Sequence, residues 1–279
     1  MFSEYIGYAE DFWYEHADPR SKDFLFLRTP VPILVVIAVY VVICKIVLPL
    51  IFNGKKHPWA RYLLILHYLI QLGNCIAVII ISPYYFWLVK FNFRCEPSVP
   101  PTHEPYYFFV NLCYLWLLIK ILEIIESFFV YLLYGVIPNF IFIHHILLPL
   151  FLTITMHFYA GGSPLIYGFI HSFDHGFNYI FIALRMYSDE YRQKSDSWFK
   201  KYQVLSSVLS MIASLVFYLQ LEKREDCNYE HFKYIVSFIL FIFFSLTIHY
   251  RASNMLKIKR PKFAEKVDYK IAGHRFDPT

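Results

Sequence analysis

Two adjacent histidines and a four-residue polar stripe stand in stretches of this chain that are otherwise apolar. His144 and His145 open one such stretch, and His171, Asp174, His175 and Asn178 punctuate another. A neutral imidazole can attack an electrophilic carbon, and a second one can carry the proton. A carboxylate beside an imidazole fixes its tautomer or favours the imidazolium. Spacings of three, four and seven put the second group on one helical stripe. Phe169, Ile170, Phe173 and Phe177 cover the rest of that helix, so the stripe is expected to face a polar cavity or other helices. Adjacent residues on a helix diverge by about 100°. At most one of His144 and His145 therefore faces a given ligand directly.

A third group is formed by Lys120, Glu123 and Ser127. These lie within roughly a 60° arc of one helical face. Lys120 and Glu123, three residues apart, can pair and so reduce each other's desolvation cost. A purely structural ion pair locking two helices accounts for these two residues equally well. Ionisable groups inside apolar spans are costly and usually mark functional interiors.

The elements that must position these groups follow from composition. The chain has 279 residues, 58% hydrophobic and 21% aromatic, with 17% charged. Soluble domains carry about a quarter charged residues, which excludes a soluble globular class. The apolar residues gather into stretches of about 20, long enough to span a bilayer. Seven spans are predicted, at 31–52, 62–83, 106–133, 138–158, 165–186, 201–220 and 232–251. In lipid the backbone must satisfy itself within each segment, and stretches this long are helices rather than barrel strands. The expected fold is an all-α membrane protein, a seven-transmembrane-helix bundle in one domain. Asp11, Glu15, Asp18 and Arg20 interrupt residues 1–29, so no cleavable signal peptide is expected there.

Lysine and arginine placement sets the orientation. Lys55, Lys56 and Arg61 follow span one, Arg185, Arg192, Lys194, Lys200 and Lys201 stand at the end of span five and after it, and Arg251, Lys257, Lys259, Arg260 and Lys262 stand at the end of span seven and in the tail. With seven spans these share the cytosolic side, leaving the N-terminus on the other. The net charge of +5 lies in these loops and the tail, which suits a phosphate-bearing ligand and not nucleic acid. Cys44, Cys75 and Cys113 fall within spans as small apolar residues. Cys95 and Cys227 share the oxidising, non-cytosolic side, where a disulfide between them is expected; two free thiols are the alternative.

The order of these groups resembles the very-long-chain fatty acid elongases of the endoplasmic reticulum, over nearly the whole chain. Lys120-Ile-Leu-Glu123-Ile-Ile-Glu126-Ser127 is similar to that family's K-x-x-E-x-x-D-T, and Ile141-Phe-Ile-His144-His145 to its H-x-x-H-H box. His171-Ser-Phe-Asp174-His175 with Asn178-Tyr179 resembles N-S-F-x-H-x-x-M-Y, and Lys200-Lys201-Tyr202 resembles K-K-Y. Gly161-Gly162 and Cys95 also stand where the family has such residues. The resemblance departs at Ile141, where the first box histidine is expected, and at His171, which replaces an asparagine. Residues 133–139 lack the usual basic stretch, and Val204, Ser207 and Ser210 replace T-x-x-Q-x-x-Q.

The resemblance implies condensation of a long acyl-CoA with malonyl-CoA to 3-oxoacyl-CoA, with carbon dioxide and coenzyme A released. Spans two to seven would enclose an acyl-chain tunnel, with coenzyme A entering from the cytosol. His144, His145 and His175 take the catalytic positions, supported by Lys120, Glu123, His171 and Asp174. Lys200, Lys201, Asn178 and Tyr179 take substrate-binding positions. No metal or cofactor is implied beyond the two substrates. The implied division is a non-cytosolic tail at 1–30, a seven-helix domain at 31–252 and a basic cytosolic tail at 253–279. The membrane is that of the endoplasmic reticulum, with the N-terminus lumenal and the C-terminus cytosolic. Membrane lipids, other elongation-cycle enzymes and a second copy of the chain are the remaining partners to expect. Three other readings stay open. The first is an elongase-fold protein without condensing activity, which binds acyl lipids or regulates an active elongase. The others are a di-iron lipid oxidase using these histidines and carboxylates, and a seven-helix receptor.

Overall fold

Apolar runs bounded by prolines, glycines and polar loops become long helices throughout the computed structural model. It describes residue 7 and residues 11–92, 104–160 and 164–222. The helices are α1 (Val31–Phe52), α2 (Ala60–Leu88), α3 (Glu104–Leu122), α4 (Ile124–Tyr134), α5 (Asn139–Tyr159), α6 (Pro164–Tyr187) and α7 (Asp189–Glu222). No strand occurs among the described residues. Three of these helices, α1, α2 and α5, are long and apolar enough to cross a membrane. α2, with 29 residues, reaches roughly 44 Å at about 1.5 Å per residue, beyond the ~30 Å hydrocarbon thickness.

Two boundaries differ from the sequence reading for physical reasons. The expected third span is two helices, α3 and α4, separated at the buried Glu123. The segment expected as the sixth span falls within α7, which begins at Asp189 and not near residue 201. Its early turns are polar and water-compatible, with Lys194 and Glu190 paired at 2.5 Å on an exposed i,i+4 face. Hydropathy alone does not register such turns. The seventh span at 232–251, and Cys95 and Cys227, lie outside the described residues. Cys44, Cys75 and Cys113 are buried free thiols.

α2 makes its broadest contact with α6, and α6 also packs on α7; α3 lies along α5, and α4 along α2. More than half of the membrane-length window of α5 is buried, against less than a quarter for α1. α5 is thus central, and α1 rests on its outer side.

Two apolar clusters divide the bundle along its length. One gathers Phe86, Cys113, Leu117, Leu148, Phe151 and Met156. The other gathers Leu64, Tyr68, Cys75, Val130, Tyr179 and Ala183, with Ile141 packed against it. Between these positions on α3, α4, α5 and α6 lie the ionisable residues. Residues 11–29, read from sequence as part of a polar tail, pack onto the first cluster through Trp13, Phe24 and Leu27. Asp18 pairs with Arg20 at 2.5 Å, both side chains buried. The Asp18 amide donates to the His157 carbonyl at 2.7 Å, Ser21 Oγ to the Met156 carbonyl at 2.9 Å, and Arg20 to the Ala160 carbonyl. These donors satisfy carbonyls that the last turn of α5 cannot satisfy itself.

At the other end the loops after α1 and α4 meet backbone to backbone. Gly135 closes α4 with φ 76°, the left-handed cap that favours glycine. A Cβ there would also stand 2.5 Å from the Gly54 carbonyl oxygen. Gly135→Ala is therefore expected to cost about 2 kcal/mol or more, read as a lower thermal unfolding temperature in detergent. Unchanged stability would mean that the two loops do not touch.

Candidate functional site

The site is built from α4, α5 and α6, with α1, α2 and α3 behind them. Lys120, near the end of α3, reaches Glu123 at the α3–α4 break, with Nζ 2.5 Å from Oε1 and both side chains buried. The Tyr179 hydroxyl on α6 donates to the same oxygen at 3.0 Å. Its ring stacks on that of Tyr68 from α2, with centroids 5.5 Å apart. Tyr68 in turn donates to Glu126 Oε1 at 2.8 Å. The two carboxylates one turn apart on the α3–α4 stretch are thus each met by a buried tyrosine.

The adjacent histidines of α5 diverge as their spacing requires. His145 turns towards α4, where Nδ1 lies 2.8 Å from Ser127 Oγ and Nε2 lies 3.3 Å from Glu126 Oε2. His144 turns towards α6 and lies nearly parallel to His171 and His175. Its centroid is 6.3 Å from that of His171 and 5.4 Å from that of His175. His171 and His175, one turn apart, bring their centroids to 3.8 Å. Three imidazoles from two helices thus form one cluster, while the fourth looks away into the carboxylate network.

Asp174, Asn178 and Tyr179 stand on α6 near these rings, while the Lys200 side chain lies outside those described. Asp174 Oδ2 lies 3.8 Å from His175 Nδ1, too far for a hydrogen bond. Its backbone carbonyl accepts from Asn178 Nδ2 at 2.7 Å and from the Tyr202 hydroxyl of α7 at 3.4 Å. Phe173 and Phe177 are exposed on the outer side of α6, as the apolar stripe requires. Tyr179 commits its hydroxyl to Glu123, not to an open pocket. Lys201 is exposed on α7, and the arginines at 61, 185 and 192 lie within electrostatic reach of Tyr134 at the end of α4. Among the described residues no three of His, Cys, Asp or Glu converge to hold a metal ion.

An apolar pocket of about 150 Å³ lies between α2, α3 and α6, lined in part by Asn74, Ser82, Cys113, Trp116, Gly168 and Phe169. Trp116 connects it to the cluster, since its ring meets His171 edge-on with centroids 6.3 Å apart. Gly168 makes room for that ring: a methyl there would come within 2.8 Å of it.

Residues 25–257 match the ELO family, described as GNS1/SUR4. The chain belongs to this family. Very long chain fatty acid elongase 7 of Drosophila melanogaster is 24% identical to it, over 97% of this chain and 84% of the relative. The protein of the same name in Rattus norvegicus is 25% identical, over 95% of each. Very long chain fatty acid elongase 1 of Mus musculus is 22% identical, over 83% of this chain and 85% of the relative. This ELO-family chain is a membrane protein of a fatty acid elongation family.

Sequence reasoning singled out Glu123, Ser127 and four of the imidazoles that meet here, but missed Tyr40, Tyr68 and the role of Glu126. Glu126 stood inside a quoted motif, and its position three residues after Glu123 was the available signal. The tyrosines carried no comparable signal in a chain with 24 of them.

The ion pair gives a direct stability test. Lys120→Met leaves Glu123 buried without its cation and is expected to cost about 3–5 kcal/mol, read as a fall in unfolding temperature. Adding Glu123→Leu should restore part of that loss. A double variant less stable than the single would show that the pair does not compensate itself.

Proposed function

We propose that this ELO-family chain carries out the condensing step of very-long-chain fatty acid elongation, joining a long acyl-CoA to malonyl-CoA. The observation that carries the reading is the cluster of His144, His171 and His175, bordered through Trp116 by an apolar pocket. The elongase names of the relatives support it. The acyl chain would extend into the pocket, with its thioester at the rings. Asn178, whose Nδ2 is spent on the Asp174 carbonyl, keeps its amide oxygen for the substrate. Lys200 and Lys201 would meet the coenzyme A phosphates.

In this mechanism the neutral His144 imidazole attacks the thioester carbonyl carbon. A C–N bond forms as the C–S bond breaks, and coenzyme A leaves as a thiolate. The proton released by His144 passes to His175. Malonyl-CoA then loses carbon dioxide, and the resulting enolate carbon attacks the acyl-imidazole. The new C–C bond forms as the C–N bond breaks, and His175 returns the proton to His144. His171 supplies the third ring of the cluster, where Ile141 leaves the box without one. His145, held by Ser127 and Glu126, supports His144 from the carboxylate side.

Purified protein should therefore turn over long acyl-CoA and malonyl-CoA to 3-oxoacyl-CoA. His144→Ala and His175→Ala should each lower turnover by at least about 10²-fold while leaving the protein folded. Ile141→His, which restores the box, should raise it. If wild type and Ile141→His are both inert with several acyl-CoA lengths and yet bind them, a non-catalytic lipid-binding role replaces the synthase.

The same reading sets the chain in the endoplasmic reticulum membrane as a seven-span bundle, with its N-terminus lumenal and its C-terminus cytosolic. Cys95 and Cys227 then share the lumenal side, where a disulfide would join two loops distant in sequence. Non-reducing peptide mapping should recover the two cysteines in one linked peptide; free thiols at both would refute the pairing.

A further inference from the structure

α1 lies on the outside of the bundle, yet one of its side chains reaches the site. Tyr40 is 2% exposed, and its hydroxyl lies 2.8 Å from Ser127 Oγ. Ser127 is itself 2.8 Å from His145 Nδ1. A π turn follows Tyr40 at Ile43–Val47. A π turn closes i→i+5 and so holds more residues than an α turn. Residues four apart therefore stay on one face, and Tyr40, Cys44 and Leu48 are all buried on the inner side. Phe142 of α5 holds the Tyr40 ring by stacking, with centroids 5.4 Å apart. The Lys45 ammonium also lies 4.2 Å from the Phe142 centroid, so α1 meets this ring of α5 through two side chains.

With Glu126 ionised and His145 neutral, donors and acceptors give the chain one direction. Glu126 accepts from Tyr68 at Oε1 and faces His145 Nε2 through Oε2. An ionised carboxylate can only accept, so Nε2 of His145 carries the proton. Nδ1 of a neutral ring is then an acceptor, and Ser127 must donate to it. The serine oxygen is left to accept, and Tyr40 is the donor that it meets.

We propose that Tyr40 is a positioning residue for the reaction assigned above. It acts through Ser127 to hold His145 as the Nε2–H tautomer, with its ring turned to Glu126 and its neighbour His144 turned to α6. The inference rests on the condensing role for its kinetic consequence, but not for the tautomer itself. α1 is thereby part of the site and more than a membrane anchor.

The test uses full-length protein in liposomes with ¹⁵N,¹³C-labelled histidine, and His145→Gln assigns the resonance. Solid-state NMR should report the Nε2–H form for His145 in wild type, and a shift of its Nδ1 signal in both Tyr40→Phe and Ser127→Ala. Tyr40→Phe keeps the ring and its packing on Phe142, so folding is preserved and checked by thermal unfolding. Turnover should fall on the order of tenfold, as for one lost hydrogen bond, in kcat with little change in KM. The double variant should be no worse than Ser127→Ala alone. An Nδ1–H or imidazolium signal in wild type overturns the proposal, and so does an unmoved signal in Tyr40→Phe. If wild type shows no turnover at all, the condensing reading fails, while the NMR comparison still decides the role of Tyr40.

Discussion

A carboxylate buried within a bundle that lipid surrounds has no water to share its charge, and Glu123 is held at only 1% exposure. Its cost is met locally, by Lys120 one turn before it and by the Tyr179 hydroxyl arriving from α6. The consequences spread outward from that compensation. The α3–α4 stretch breaks at Glu123 itself, α6 is tied to the break through Tyr179, and α2 is tied in turn through the stacked Tyr68. A breach at any point would strand a buried charge or hydroxyl. The helices around Glu123 therefore have little freedom to rotate.

This constraint also explains where the reactive groups can be. Polar residues on α3, α4, α5 and α6 fall between the two apolar clusters. Those clusters exclude water above and below, which strengthens every charge interaction between them. Within the polar zone the adjacent histidines of α5 divide the work because helical geometry sends them apart. His145 is absorbed by Ser127 and Glu126. His144 stays with the rings of α6, of which His171 meets Trp116 at the apolar pocket. A ring already committed to a carboxylate and a hydroxyl is poorly suited to attack a substrate, whereas His144 faces the imidazoles of α6.

Much of this was legible in the sequence because lipid makes polar residues conspicuous. The stripe His171, Asp174, His175 and Asn178, and the Lys120–Glu123 spacing, stood out against apolar surroundings, and their neighbours behaved as periodicity requires. What escaped has a common physical cause. Tyr40 and Tyr68 contribute one polar atom each on a ring that otherwise packs like phenylalanine, so apolar patterning hides them. The buried residues near Asp18 and Arg20 looked like a tail because charges read as exposure until a partner is known. The start of α7 was hidden because its first turns are polar on most sides. Pairings between helices are invisible to periodicity, which orients a residue only relative to its own helix axis.

The exchange of a ring at Ile141 for one at His171 is not a change of one position for its mirror image. Ile141 packs against the cluster that contains Tyr68 and Tyr179, on the side where the carboxylates lie. His171 instead lies edge-on to Trp116, which lines the pocket, and packs one turn from His175. A third ring at 171 thus stands beside a side chain that lines the pocket. The isoleucine left behind completes an apolar cluster, and the histidine gained is buried where two other rings can share a proton with it. On the proposed chemistry, this favours proton transfer among the rings at the pocket over stabilisation from the carboxylates behind them.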